Sequence, residues 1–129
     1  MAETREDVQA QAESLDAHNH EGVLYQRLDG GRVRCYACGH RCTIPKGRRG
    51  ICQVRFNHDG TLRVPHGYVA ALQNDPTEKK PFYHVLPGSH TLTFGMLGCD
   101  FHCPYCQNWL TIQALRDPDS IAEMHLITA

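Results

Sequence analysis

The stretch TLTFGMLGCDFHCPYCQNW, Thr91 to Trp109, joins an apolar run to three cysteines within eight residues. Thr91–Leu97 holds nothing more polar than threonine and lies between turn signals, Pro87-Gly88 before it and Gly98 after it. Such a run predicts a strand buried on both faces, as in a parallel sheet. Cys99, Cys103 and Cys106 follow in the next loop, spaced C-x3-C-x2-C, with no cysteine downstream. Thiolate metal sites usually take four ligands. This loop therefore asks for a fourth from outside itself.

A complete set stands upstream. CYACGHRCTIPKGRRGIC holds Cys35, Cys38, Cys42 and Cys52, spaced C-x2-C-x3-C-x9-C. A C-x2-C pair followed by glycine predicts a knuckle that turns two sulfurs toward one ion, and Gly47 and Gly50 supply the turns that return Cys52 to it. Four thiolates suit Zn²⁺ or an iron–sulfur cluster equally, so spacing does not choose the metal; zinc is the reading taken first. His40 is read as standing outside the ligand set. A structural metal here contributes on the order of 10 kcal/mol of folding free energy, comparable to the net stability of a domain.

The rest of the composition narrows the field. The chain has 129 residues, seven cysteines, nine histidines and a formal charge of −1. A balanced charge without a basic patch argues against a nucleic-acid partner, and no run nears the roughly 20 apolar residues of a membrane span. The acidic, polar start MAETREDVQAQAESLD reads as neither a signal nor a transit peptide, which places the chain in the cytoplasm. Seven thiols in a reducing compartment point to ligation rather than to disulfides.

Along the chain, residues 1–22 read as a polar lead-in and linker, 23–88 as a β-rich region around the four-cysteine group, and 89–129 as a second unit built on the opening stretch. VLYQRL, the Asp29–Gly31 turn and RVRC predict strand, turn and strand. CQVRFN and TLRVPHGYVAAL flank His58-Asp59-Gly60, the signal for a tight hairpin. NDPTEKKP predicts a polar connector in which Glu78, Lys79 and Lys80 form a solvated charge run, with contact to substrate or phosphate the sharper alternative. His84 and His90 flank Pro87-Gly88 with no partner that sequence reveals. Asp117-Pro118 predicts a turn, and Thr128 would serve as a helix N-cap.

Taken together, RVRCYACGHRCTIPKGRRGICQVR and NDPTEKKPFYHVLPGSHTLTFGMLGCDFHCPYCQNW resemble the radical S-adenosylmethionine (SAM) enzyme of the AmmeMemoRadiSam system, a relative of pyruvate formate-lyase activating enzymes. The resemblance covers Val23 to Trp109. It implies that Cys99, Cys103 and Cys106 hold a [4Fe–4S] cluster whose remaining iron binds SAM, and that one electron cleaves SAM to a 5′-deoxyadenosyl radical that abstracts hydrogen from a substrate. It implies Tyr105 near the adenine and Asn108 lining the site, an electron donor of the flavodoxin or ferredoxin type, and an unknown substrate, with a protein among the candidates. No catalytic residue beyond the cluster ligands is implied.

The fold so implied is α/β: the first strand and cluster loop of a partial (β/α)6 barrel, truncated before its first helix and preceded by the hairpin-rich cysteine-knuckle region. On that expectation the chain is an N-terminal fragment without turnover of its own. Two readings from other classes compete. One is a two-site zinc module that binds a partner without catalysis; the other is an electron-carrying iron–sulfur protein, which the missing fourth cysteine disfavours.

Overall fold

Ala12 and Leu15 give the N-terminal segment one apolar stripe, and in the computed structural model it forms α1 (Arg5–Ala17), with both side chains buried. The structure describes residues 5–117, 119–120 and 122–127. Pro118, of the expected Asp117-Pro118 turn, and Thr128, the expected N-cap, lie outside them. The segment after α1 carries β1 (Asn19–Glu21), followed by β2 (Tyr25–Arg27), β3 (Val33–Cys35) and β4 (Thr43–Ile44). β2, β3 and β4 form one antiparallel sheet, with Tyr25 opposite Cys35 and Val33 opposite Ile44.

Beyond it come β5 (Phe56–His58) and β6 (Thr61–Pro65), closed by the two residues Asp59 and Gly60 at φ 50° and 84°. Positive φ at both positions matches the right-handed twist of the flanking strands, which is why Asp-Gly makes this hairpin. β1 joins its far edge, giving the order β1-β6-β5. Val33, Cys35, Ile44 and Leu62 form the buried cluster between the two sheets. Asn57 is fully buried there, and its amide donates to Gly31 O at 2.8 Å and Ile44 O at 2.9 Å while its oxygen accepts from Gly60 N at 2.8 Å.

TLRVPHGYVAAL does not continue as one strand. Gly67, at φ 75°, breaks it after β6, and β7 (Tyr68–Val69) and β8 (Ala71–Pro76) follow. β9 (His90–Gly95) lies antiparallel along the whole of β8, from Pro76 opposite His90 to Ala71 opposite Gly95. After the cysteine loop come the one-turn α2 (Trp109–Ile112) and β10 (His125–Leu126), which pairs with β7. A second core gathers Leu15, Tyr68, Ala70, Leu97 and Ala114, so α1, β7 and the chain on both sides of the cysteine loop meet there. Burial, with Asp16 nearby, pushes the Tyr68 hydroxyl up to about 12.

This architecture corrects the expected fold class. The described residues form small antiparallel sheets with two α-helices, not the opening of a (β/α)6 barrel. Among the described residues every strand pair is antiparallel, whereas a barrel needs parallel neighbours. Nor is the Thr91–Leu97 run buried on both faces. Its only partner strand among the described residues is β8, and Leu92 and Phe94 point outward, 68% and 63% exposed. The apolar composition is compatible with a buried parallel strand, but the segment before it, including Asn74–Pro76 of the expected polar connector, forms β8 and pairs with it antiparallel.

Candidate metal centre

Each cysteine group is placed by a different device. Upstream, Cys35 is buried on β3, and its N–H donates to Cys42 O at 2.9 Å, fixing the two residues across one strand pair. The knuckle between them closes through Arg41 N donating to Cys38 O, with Arg41 at φ 47°. Cys52 sits in the turn where Gly50 N donates to Arg55 O at 2.8 Å. A Cβ at Gly50 would lie 3.2 Å from Ile44 Cδ1 and 3.8 Å from Cys42 Sγ, so glycine lets this turn settle against the knuckle.

Downstream, the loop leaves the core at Leu97 and Gly98 and returns at Thr111, whose carbonyl accepts from Gly98 N at 3.2 Å. Within it Cys99, Cys103 and Cys106 are all half-buried, while Phe101, His102, Pro104 and Tyr105 between them are exposed. The loop thus shields its three thiols, and Asp100 with them, more than the four side chains it shows to solvent. Cys106 N donates to Cys103 O at 3.2 Å, and Phe101 N donates to Cys99 Sγ at 3.4 Å.

The two groups face one another. Cys38, Cys52 and Cys99 line one cavity of about 440 Å³, together with Val54, Met96 and Asp100. His40 Nε2 donates to Asp100 O at 2.9 Å, and the Cys99 thiol lies 3.8 Å from the Asp100 carboxylate. The His40 backbone N–H favours the Cys38 thiolate, but burial, Asp100 and Cys42 outweigh it, and the Cys38 pKa rises. At Gly98 (φ 78°) the chain passes so close to the upstream turn that a Cβ would lie 2.6 Å from Cys52 O. Arg116 donates to the carbonyls of Cys99 (2.6 Å), Phe101 (3.2 Å) and Ile51. A smaller cleft of about 260 Å³ opens on the other side of the loop, lined by His102, Cys103, Trp109, Gln113, Arg116 and Asp117.

All seven thiols are free, so the donor set fits a thiolate-bound metal or cluster in number and kind. Among the described residues, no three Cys, His, Asp or Glu side chains yet converge in metal-binding geometry. The residues expected near a cofactor are less engaged. Tyr105 is 84% exposed, and Asn108 serves α2 through its carbonyl, which accepts from Thr111 and Ile112 N–H. Lys79 and Lys80 bond to the Asp75 carboxylate at 2.8 and 2.7 Å and hold it down at about 2, while Glu78 accepts from Gly88 N at 2.7 Å. The charge run is thereby a clasp closing the β8–β9 connection. Sequence reasoning passed over Asp100, Gly98 and Arg116, all of which act here through backbone neighbours.

The chain is 40% identical over 105 residues to the uncharacterized protein MJ0808 of Methanocaldococcus jannaschii, a match covering 81% of this chain. It is 33% identical over 84 residues to MJ0674 of the same organism, also uncharacterized, a match covering 64% of this chain. The matches span only 32% and 20% of the length of those two relatives. No protein-family model matches the chain, and no solved structure does. Among the described residues no helix is long and apolar enough to cross a membrane.

Proposed function

We propose that this chain is the cluster-binding portion of a radical SAM enzyme of the cytoplasm, with Cys99, Cys103 and Cys106 as ligands to a [4Fe–4S] cluster. The observation that carries the reading is the loop's exposure pattern: three free, half-buried thiols at C-x3-C-x2-C spacing, with Phe101, His102, Pro104 and Tyr105 exposed between them. A loop with three thiols and no fourth suits a cluster that keeps one iron for a substrate or cofactor. When bound, such a cluster with SAM supplies one-electron cleavage to a hydrogen-abstracting radical, and that chemistry belongs to the cofactor.

The chain's own residues hold and tune. The Phe101 N–H directed at Cys99 Sγ stabilises negative charge on sulfur, one of the levers that set cluster potential. Cys35, Cys38, Cys42 and Cys52 bind zinc or a second cluster and act as a staple for the β2–β6 region. Electrons come from a flavodoxin- or ferredoxin-type donor, and the substrate is unassigned.

Anaerobic reconstitution with iron and sulfide, followed by metal analysis and EPR, tests the reading. A reduced [4Fe–4S] signal that SAM perturbs and that Cys103→Ala abolishes is the expected result. Zinc alone at both groups would sink it and leave a two-site zinc module. Iron and sulfide retained after Cys99, Cys103 and Cys106 are all replaced by alanine would move the cluster to the upstream group.

A further inference from the structure

We propose that Arg116 is a positioning residue that locks the two cysteine groups into one unit and fixes a positive charge beside the three-cysteine loop. Its guanidinium bonds three carbonyls drawn from both groups: Ile51 O, next to Cys52, and Cys99 O and Phe101 O within the loop. A guanidinium carries five donors in a rigid fork and stays charged at any pH the protein meets, so one side chain spans acceptors that an ammonium would serve singly. Among the described residues no carboxylate pairs with Arg116. Its charge is therefore offered to these carbonyls.

The surrounding geometry makes the clamp consequential. The Gly98 approach to Cys52 O leaves no room for a side chain, and the His40 bond to Asp100 O ties the knuckle to the same loop. Three independent contacts thus join the loop to the upstream group, and Arg116 is the one that reaches both in a single side chain. Two effects follow. The Cys99–Cys106 loop and the Cys52 turn are ordered together, so loosening one loosens the other. A cluster held by the loop would feel a fixed cation, which favours the added electron and raises its reduction potential.

Only the second effect rests on the proposed cluster, and the test separates the two. Hydrogen exchange is measured on the full chain as purified and kept reduced, before any reconstitution with iron and sulfide, for wild type, Arg116→Gln and Arg116→Lys. Losing charge-assisted bonds should speed exchange at the Gln53 and Gly98 amides about tenfold in Arg116→Gln. The Cys35 amide, bonded to Cys42 O within the β3 sheet, should not change. Arg116→Lys should recover part of the protection. If Cys35 exchange accelerates equally in Arg116→Gln, the lysine variant decides: Gln53 and Gly98 faster with Cys35 unchanged supports the clamp. No acceleration, or acceleration in only one of the two segments, overturns it. After reconstitution with iron and sulfide, an EPR-monitored titration should place the Arg116→Gln midpoint below wild type, with Arg116→Lys between them. An unshifted midpoint removes the charge effect, whereas failure of wild type to form a cluster refutes the proposed function and leaves the exchange result standing.

Discussion

The β2–β6 region and the β8–β9 hairpin with its cysteine loop solve the same problem, holding thiols in place, by opposite means. In the first, strands close around Val33, Ile44 and Leu62, and the polar interior is satisfied within itself through Asn57. In the second, a two-stranded ribbon shows Leu92 and Phe94 to solvent and the thiols sit on a loop without strand pairing. That loop borrows its order from the first region, through Gly98, His40 and Arg116. Damage upstream should therefore undo the downstream group, whereas damage downstream should reach the upstream group only at its Cys52 turn, Cys35 and Cys42 being held by strand pairing.

The sharpest way to break the comparison is at Asn57. Replacing it with alanine removes three hydrogen bonds and strands the buried Ile44 carbonyl, with Gly31 O and Gly60 N left unpaired nearer the surface. Leaving buried backbone groups unpaired carries the full desolvation penalty, so Asn57→Ala should lose about 3 kcal/mol in chemical denaturation followed by circular dichroism. It should also impair metal uptake at both groups. A loss under about 1 kcal/mol would mean that the upstream interior does not depend on this network.

Gly98→Ala tests the dependence in the other direction. The substituted Cβ would meet Cys52 O and Val54 Cγ1, both at 2.6 Å, and φ 78° is itself unfavourable for alanine. Overpacking and backbone strain together should cost about 2 kcal/mol. Iron bound by the three-cysteine loop should fall several-fold, while metal at the upstream four, of which only Cys52 meets the new methyl, should fall less. Equal loss at both groups would remove the asymmetry.

How much of this was legible before folding differs between the two regions for a physical reason. The Asp59-Gly60 hairpin was readable because the turn itself demands residues that tolerate positive φ. Both cysteine groups stand out in the sequence because ligand chemistry would be carried by side-chain identity, and what the fold adds is that Cys38, Cys52 and Cys99 line one cavity. The place of Thr91–Leu97 was not, because an apolar run states that a strand forms but not which strand lies beside it. Arg116 was invisible for a further reason: its partners are main-chain carbonyls, which every residue possesses and no sequence marks. The lysines of EKKP were read as solvated, and only the fold brings both onto Asp75.

That clasp yields a pH prediction. Lys79 and then Lys80 depress the Asp75 pKa to about 2, below its ordinary value near 4. A carboxylate whose folded pKa is lowered adds stability that is fully present above its unfolded pKa and disappears as pH falls through the folded one. Wild type should thus lose its advantage over Asp75→Asn between about pH 4 and pH 2, and the thermal midpoints should converge at the acid end. A gap that is constant across that window would show that the contribution of Asp75 is not electrostatic.

The smallest effect is expected where the comparison is most exposed. Leu92 and Phe94 lie on the outer face of β9, with Phe94 opposite Leu72 on the facing strand. Side chains already in water lose little when replaced, and threonine brings a β-branched shape that strands favour. Leu92→Thr and Phe94→Thr should each change unfolding free energy by no more than about 0.5 kcal/mol, the Phe94–Leu72 pair accounting for most of it. Solubility at high concentration should rise, because an apolar ribbon face no longer meets its copy. A loss above about 1.5 kcal/mol for either change would place these side chains in a packed interior. The hairpin would then share the self-sufficiency of the upstream sheets instead of leaning on them.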